Sequence, residues 1–171
     1  MDLVPATAED EWLTVALETD PRVMAELGGP QTEEYARGAH RRRVEGIKTG
    51  NWWFKMVPEP GARPVGTIGL WPTEWAGEPI SETGWMVLHE HHGKGNASAA
   101  LGVLLEQARL DGRWGDIHAF PGATNAPSNA LCRKFGFEQR ETVEVDYAER
   151  MLTCNHWVLP AARSSGSASV R

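Results

Sequence analysis

The stretch that decides the fold reads Gly84-Trp85-Met86-Val87-Leu88-His89-Glu90-His91-His92-Gly93-Lys94-Gly95-Asn96-Ala97-Ser98-Ala99-Ala100-Leu101. Residues 85–88 are four bulky apolar residues in a row, which predicts a short buried strand. Two glycines one residue apart follow, and from Ala97 onward the apolar residues recur with the period of an amphipathic helix. The predicted order is therefore strand, glycine turn, helix.

The glycine turn has the composition of an anion site. A helix N-terminus carries unpaired N–H groups, and glycines before it let a phosphate approach the backbone closely. A phosphate site and an ordinary tight turn are both open at this point. A P-loop is excluded because Lys94 is followed by Gly95 instead of Ser or Thr. The dinucleotide fingerprint is excluded because Ser98 stands where a third glycine or alanine is needed.

The turn resembles the acetyl-coenzyme A (acetyl-CoA) loop of the GNAT superfamily of N-acetyltransferases, written Gln/Arg-x-x-Gly-x-Gly/Ala. Here it reads Glu90-His91-His92-Gly93-Lys94-Gly95, with both glycines matched and Glu90 in place of Gln or Arg. A second stretch follows about 30 residues after the first, as in many members of the superfamily. It resembles their Asn-x-x-Ala/Ser and Lys-x-Gly-Phe elements and reads Asn125-Ala126-Pro127-Ser128-Asn129-Ala130-Leu131-Cys132-Arg133-Lys134-Phe135-Gly136-Phe137.

The rest of the chain agrees with this resemblance. Hydrophobic periods and turn residues predict helices over residues 7–17, 21–27, 32–48, 96–111 and 125–135, and strands over residues 3–4, 52–57, 65–71, 81–88, 115–120, 142–147 and 151–159. Residues 72–79 are predicted to form a loop. The expected fold is α/β, the GNAT acyltransferase fold, with a mixed central sheet of about seven strands and helices on both faces. Residues 1–160 are expected to form one domain and residues 161–171 a disordered tail.

Composition narrows the class of function. The 171 residues carry a net charge of −6, which argues against a general nucleic-acid binder. No run of apolar residues is long enough for a membrane helix, and the N-terminus has no signal peptide, so we expect a cytoplasmic protein without a membrane partner. His89, His91 and His92 lack a carboxylate or cysteine to complete a metal site, so no metal is expected.

The resemblance implies acetyl-CoA as co-substrate and places it on particular residues. The pyrophosphate is expected on the backbone N–H groups of residues 92–97, and the pantetheine arm along the strand before the loop. Asn125 is expected to bind the arm or order a water molecule. The full set of expected CoA-binding residues is Met86, Val87, Leu88, His92, Gly93, Lys94, Gly95, Asn96, Ala97, Asn125 and Ser128.

The resemblance also implies direct attack of an amine on the thioester in a ternary complex. The backbone N–H of Leu88 is expected to polarise the thioester carbonyl. Glu82 is the best candidate for the general base, directly or through water, and an ordinary exposed strand glutamate is the alternative that stays open at this position. Ser128, Cys132 or water would protonate the leaving thiolate, with Ser128 preferred. The candidate acceptor-binding residues are Trp71, Glu74, Trp75 and Glu82.

The stretch Glu82-Thr83-Gly84-Trp85-Met86-Val87 resembles the strand before the loop in the ribosomal-protein (RimJ/RimL-like) branch. That branch also contains enzymes for small amines. The expected function is N-acetylation of a primary amine of a small molecule. Two alternatives stay open, acetylation of a protein N-terminus and a non-catalytic acyl-CoA-binding domain. Whether the chain forms a homodimer also stays open.

Overall fold

A computed structural model describes residues 1–161, so residues 162–171, nearly all of the predicted tail, lie outside the described part. The strands are β1 (Asp2–Pro5), β2 (Trp52–Val57), β3 (Gly66–Trp75), β4 (Glu78–Val87), β5 (Ile117–Ala119), β6 (Glu138–Tyr147) and β7 (Arg150–Leu159). The helices are α1 (Glu11–Glu18), α2 (Glu33–Lys48), α3 (Asn96–Asp111) and α4 (Ala126–Lys134). The element order is the one predicted, with boundaries shifted by a few residues.

The seven strands form one mixed sheet in the order β1-β2-β3-β4-β5-β7-β6, which confirms the predicted architecture. All neighbours are antiparallel except β4 and β5. This parallel pair is held only at Ser81↔Ile117 and Glu82↔His118. β4 continues for five residues beyond Glu82 without pairing to β5, so a gap opens in the sheet there.

Helices cover both faces of the sheet, as predicted. On one face α3 and α4 enclose an apolar core with Ile68, Leu70, Leu101, Leu104 and Trp157 among its buried members. Burying each such side chain contributes about 1.5–3 kcal/mol, so this layer dominates the stability of the fold.

α1 and α2 lie on the opposite face of the sheet. There Lys55 of β2 donates to Asp10 at 2.8 Å, and the guanidinium of Arg43 lies 4.5 Å from the centre of the Trp53 ring. Arg43 also pairs with the buried Glu18. The run of three arginines on α2 therefore contributes a packed ion pair at this position, in a helix that is otherwise largely solvated on its outer side.

The predicted loop over residues 72–79 is wrong, because these residues form a long β-hairpin. β3 runs to Trp75, β4 starts at Glu78, and the turn residues Ala76 and Gly77 have φ of 51° and 84°. The prolines at 72 and 79 suggested a break in the strands. They are tolerated because the pairing with β2 stops at Trp52↔Leu70 and the pairing with β5 starts at Ser81↔Ile117. This part of the hairpin therefore has no outer neighbour that needs their N–H groups.

Three smaller differences concern element ends. The predicted helix over residues 21–27 is a turn followed by a short 3-10 segment, Ala25–Leu27. The predicted strand over residues 115–120 is paired over only three residues. β6 starts at Glu138, earlier than predicted, with a register shift between Gln139 and Thr142 that interrupts the alternation on which the prediction relied.

Within residues 1–161, no helix is both long and apolar enough to span a membrane.

Candidate active site

The glycine turn has the backbone of an anion-binding loop. Gly93 and Gly95 have φ of 70° and 79°, a left-handed conformation that L-residues rarely adopt. No atom lies within 4 Å of where a Cβ would stand on either glycine, so the outer side of the loop is open. The first bond of α3 runs from the N–H of Ala99 to the carbonyl of Gly95 at 2.9 Å, which leaves the N–H groups of residues 96–98 without a partner in the helix.

His92 differs from its expected role. Its N–H donates to the carbonyl of His89 at 3.0 Å, so this group is not available to a pyrophosphate. Its ring Nε2 lies 2.8 Å from the carbonyl oxygen of Val87, and the side chain thus ties the turn to the end of β4. The side-chain amide of Asn96 donates to the carbonyl of His91 at 3.1 Å and fixes the same turn from the helix side.

The expected oxyanion role of Leu88 is wrong. Its N–H donates to the carbonyl of Val65 at 2.8 Å, on the β3 side of β4, and is therefore turned away from the gap. Successive backbone groups of a strand point to opposite sides, so the N–H and carbonyl of Val87 face the gap. The contact of the Val87 carbonyl with the His92 ring agrees with this direction.

Glu82 lies on β4 where the strand separates from β5. It is in register with Trp71 of β3 and with His118 of β5, so the three side chains share one face of the sheet. Burial raises the pKa of the Glu82 carboxyl to about 7. A carboxylate with this pKa holds a proton about half of the time at neutral pH and can accept or release one readily.

Aromatic rings surround this part of the face. The Trp75 ring lies 4.8 Å from the ring of Phe120, which stacks on His156 at 4.7 Å with an interplanar angle of 12°. Trp71 lies 5.8 Å from Trp53 on the other side of Glu82. Trp71 and Trp75, the two tryptophans predicted to line the acceptor site, thus lie on the same face of the sheet as Glu82.

Glu74 does not join these residues. It is exposed and alternates with Trp71 and Trp75 along β3, so it lies on the opposite face of the sheet from Glu82. The prediction that Glu74 binds the acceptor rested on residues 72–79 being a loop, and it fails because they form a strand.

α4 carries the second motif close to the far side of the gap. The side chain of Asn125 accepts the N–H of Ser128 at 3.1 Å and caps the helix. Ser128 is half-buried. Cys132, one turn further along, is completely buried in the apolar core, and burial raises the pKa of its thiol to about 12. This burial and the raised pKa argue against Cys132 as the proton donor, so Ser128 stays the preferred candidate of the two.

Asn129 is the member of this motif whose role was missed. Its amide nitrogen donates to the carbonyls of Gly122 and Asn125 at 2.9 and 2.8 Å. Its amide oxygen accepts from Asn155 and from the indole of Trp157, both at 2.9 Å. A buried asparagine with every bond satisfied fixes α4 on β7 and so sets one wall of the gap.

Comparison with known proteins agrees with this geometry. A strand–glycine-turn–helix unit lies beside a split parallel strand pair, with Glu82 at the split, and this arrangement suits an acyl-CoA-dependent transferase. The family model described as "Acetyltransferase (GNAT) domain" matches residues 1–138, and the chain belongs to this family. No curated protein matches the sequence.

Solved structures resemble the chain along almost its whole length. The ribosomal-protein-alanine N-acetyltransferase of Brucella melitensis is 24% identical, with 94% of this chain and 99% of that chain covered and a TM-score of 0.75. An acetyltransferase (GNAT family) of Bacillus anthracis is 20% identical, with 93% of each chain covered and a TM-score of 0.76. Spermidine N-acetyltransferase of Vibrio cholerae, in complex with CoA and spermine, is 13% identical over 94% of this chain and 95% of that chain, with a TM-score of 0.75. These likenesses establish the fold.

The described residues offer no obvious place for a metal ion. Across residues 1–161, no group of three or more His, Cys, Asp or Glu side chains is arranged to hold one. Within the glycine turn, the His92 ring contacts the Val87 carbonyl and lies 5.1 Å from the His89 ring.

Proposed function

We propose that this protein transfers the acetyl group of acetyl-CoA to a primary amine of a small molecule, by direct attack in a ternary complex. The observation that carries the proposal is Glu82, a half-buried carboxylate with a pKa of about 7 at the point where β4 and β5 separate. An amine is protonated at neutral pH and must lose a proton before it can attack a thioester. Glu82 is the base that removes it, directly or through a water molecule.

The glycine turn and the gap together suit the phosphate and pantetheine parts of acetyl-CoA. The free N–H groups at the start of α3, the open glycines and the exposed Lys94 favour the pyrophosphate. The gap-facing backbone N–H and carbonyl of Trp85, two residues before Val87, offer a donor and an acceptor to the amides of the pantetheine arm. The amide of Asn125 retains its nitrogen as a further donor.

A groove of about 640 Å³ between α3 and the end of α4 suits the adenosine half. It is lined by Ser98 and Gly102 on α3 and by Lys134 and Phe135 at the end of α4. The Lys134 ammonium donates to the Ser98 hydroxyl at 2.6 Å, so it is already placed at the loop side of the groove. We assign the Phe135 ring to stacking with the adenine and Lys134 to a phosphate.

The reaction needs a donor for the oxyanion and an acid for the leaving thiolate. The N–H of Val87 takes the oxyanion role first expected of Leu88, because it faces the gap. Ser128 is the proposed acid, since it is half-buried on the first turn of α4 while Cys132 lies in the core. The N–C bond forms, the C–S bond breaks, and the thiolate of CoA receives a proton.

The acceptor is proposed to be a small amine with an apolar or aromatic body. Trp71 flanks Glu82 directly, and Trp75, Phe120 and His156 form a wall beside it that favours stacking. The protein N-terminus remains the second candidate, because the Brucella melitensis neighbour acts on ribosomal-protein alanine according to its name. A non-catalytic acyl-CoA-binding role is less well supported, because Glu82 is a largely buried carboxyl with a raised pKa at the split of the sheet, as expected of a group that exchanges a proton.

Two measurements test the proposal. Calorimetry with acetyl-CoA should give saturable binding at micromolar ligand, and no binding at high micromolar ligand would reject the proposal.

Intact-mass spectrometry of the protein after incubation with acetyl-CoA alone should show an unmodified chain, because direct transfer needs no acetyl-enzyme. A stoichiometric gain of one acetyl group that is lost on adding an amine would instead indicate a covalent mechanism.

A further inference from the structure

Two histidines next to Glu82 are in direct contact and have no part in the mechanism so far. Nδ1 of His118 on β5 lies 2.9 Å from Nε2 of His156 on β7, and the two rings stack with centroids 5.1 Å apart. Only one proton fits between two ring nitrogens at this distance, so one ring donates and the other accepts. His156 is buried and is held from its other side by Phe120 and Trp75.

His118 is paired with Glu82 at the split and also borders an open pocket. The pairing Glu82↔His118 puts both side chains on the same face of adjacent strands, about 5 Å apart at their bases. His118 also lines an open pocket of about 450 Å³ together with Pro72, Ser81 and Asp116. Its Nδ1 is engaged with His156, which leaves Nε2 as the nitrogen free to exchange a proton.

The proposed reaction leaves Glu82 with a proton that it must lose in each turnover. A protonated amine gives up two protons on becoming an amide, and the CoA thiolate takes only one of them. The other is released to water. Because Glu82 is half-buried against the sheet, it needs a neighbour that is in contact with solvent to discharge this proton.

We propose that His118 is the relay that carries this proton from Glu82 to water, and that His156 is a positioning residue that holds the His118 ring in place. This inference rests on the proposed function. The Glu82 carboxyl gives its proton to Nε2 of His118, directly or through one water molecule, and the carboxylate is regenerated. His118 is then an imidazolium whose Nδ1–H donates to His156. It then releases the Nε2 proton to solvent.

The charges around the pair allow this cycle. Burial lowers the pKa of the His118 imidazole and that of His156, so both rings are largely neutral at pH 7 and His118 can accept a proton and release it quickly. The charged groups that face the pair are Glu82 from β4, Asp116 from the segment before β5, and Arg140 and Glu141 from β6. Asp116 favours the His118 imidazolium and Arg140 opposes it.

The kinetic test compares His118→Gln with His40→Gln. His40 is a matched control because it is buried on α2 and bonded to Thr14 at 2.9 Å, far from the gap. We expect His118→Gln to lower kcat by about ten- to hundredfold with unchanged acetyl-CoA affinity, and added imidazole to restore part of the rate through the pocket. His40→Gln should keep its rate and ignore imidazole. An unchanged kcat in His118→Gln, or a loss that imidazole does not relieve, would overturn the relay.

The role of His156 has its own comparison. His156→Gln keeps a hydrogen-bond acceptor for Nδ1–H of His118, whereas His156→Phe keeps only the stacking on Phe120. We expect the glutamine variant to retain more of kcat than the phenylalanine variant. Equal rates in the two variants would reject the positioning role.

A titration that needs no acceptor separates this inference from the proposed function. The His118 ring signal, followed by NMR in the full chain, should shift as Glu82 ionises near pH 7, and this step should vanish in Glu82→Gln. Identical His118 titrations in the two proteins would reject the relay. Failure of the wild-type protein to acetylate any amine would instead reject the proposed function, whichever way the titration comes out.

Discussion

Glu82 shows how a single residue combines stability and function. Glu82 stands between Trp71 and His118 on one face of the sheet, and the pKa of about 7 comes from burial rather than from a charged neighbour. The protein keeps a partly desolvated acid where an apolar or neutral side chain would fit at lower cost. Such a cost is expected where a group must change its protonation state during a reaction.

The burial of Glu82 predicts how the free energy of unfolding changes with pH. The folded-state pKa of Glu82 is raised from 4.5 to about 7, so the folded chain binds the proton more tightly than the unfolded chain. The resulting stabilisation is complete below pH 4.5 and is lost as pH rises through 7. The free energy of unfolding of Glu82→Gln relative to wild type should therefore be higher at pH 8 than at pH 5, by up to about 3 kcal/mol. Urea unfolding at both pH values measures it, and a pH-independent difference would contradict it.

The two candidate acids of α4 should separate in activity. Ser128→Ala should lower the rate of thiolate protonation and so reduce kcat, by about ten- to hundredfold if no water replaces the hydroxyl. Cys132→Ala should leave kcat within about twofold, because its thiol is completely buried in the core and its pKa is about 12. Steady-state kinetics at saturating acetyl-CoA compares the two. A larger loss in Cys132→Ala would restore the cysteine to the mechanism.

At the scale of elements, the candidate active site forms where the pairing of β4 with β5 stops and where α3 begins. β5 pairs with β4 over two residue pairs only, and α3 begins directly after the glycine turn. The strand, turn and helix could be predicted from the sequence because hydrophobic period and glycine position are local signals. The hairpin over residues 66–87 could not, because two prolines resemble breaks unless the strands beside them are known to end.

The glycine turn offers a matched pair of variants. Gly95 and Gly61 have nearly equal φ, 79° and 80°, and neither has an atom within 4 Å of a Cβ position. Alanine at either position should destabilise the fold by a similar amount, about 1–3 kcal/mol. Only Gly95→Ala should weaken acetyl-CoA binding, by roughly tenfold or more, because its methyl group stands where the pyrophosphate approaches. Calorimetry and urea unfolding together test this, and equal acetyl-CoA affinities would argue against the loop as the phosphate site.

The attachment of α4 to β7 depends on Asn129. Asn129→Ala leaves the indole N–H of Trp157 and the amide of Asn155 without their acceptor. Each buried unpaired donor costs about 1–3 kcal/mol, so we expect a loss of about 2–4 kcal/mol in the free energy of unfolding. Thermal or urea unfolding measures it, with Asn125→Ala as the control that loses only a helix cap, about 1 kcal/mol. Equal losses in the two variants would show that the buried network is not what holds α4.

For the whole molecule, the sequence predicts the fold and the CoA-binding side of the site better than it predicts the acceptor-binding side. The glycine turn and the second motif lie in continuous segments, and their residues meet because they are neighbours in the chain. The acceptor side brings together β3, β4, β5 and β7. His156 lies 38 residues from His118, and its contact depends on a sheet order that no local pattern encodes. The prediction that the Leu88 N–H faces the gap was wrong for a related reason. The direction of this N–H depends on the hydrogen bond to Val65, which the local sequence does not reveal.

The central claim is that this GNAT fold acetylates amines with Glu82 as the base. The most direct test is thiol release from acetyl-CoA with a panel of polyamines, arylalkylamines and peptides with free N-termini, for wild type and Glu82→Gln. We predict release that depends on the amine and on a group with a pKa near 7, and a loss of about ten- to ten-thousand-fold in Glu82→Gln with acetyl-CoA binding intact. Release that is unaffected by the amine, or equal rates in the two proteins, would contradict the account.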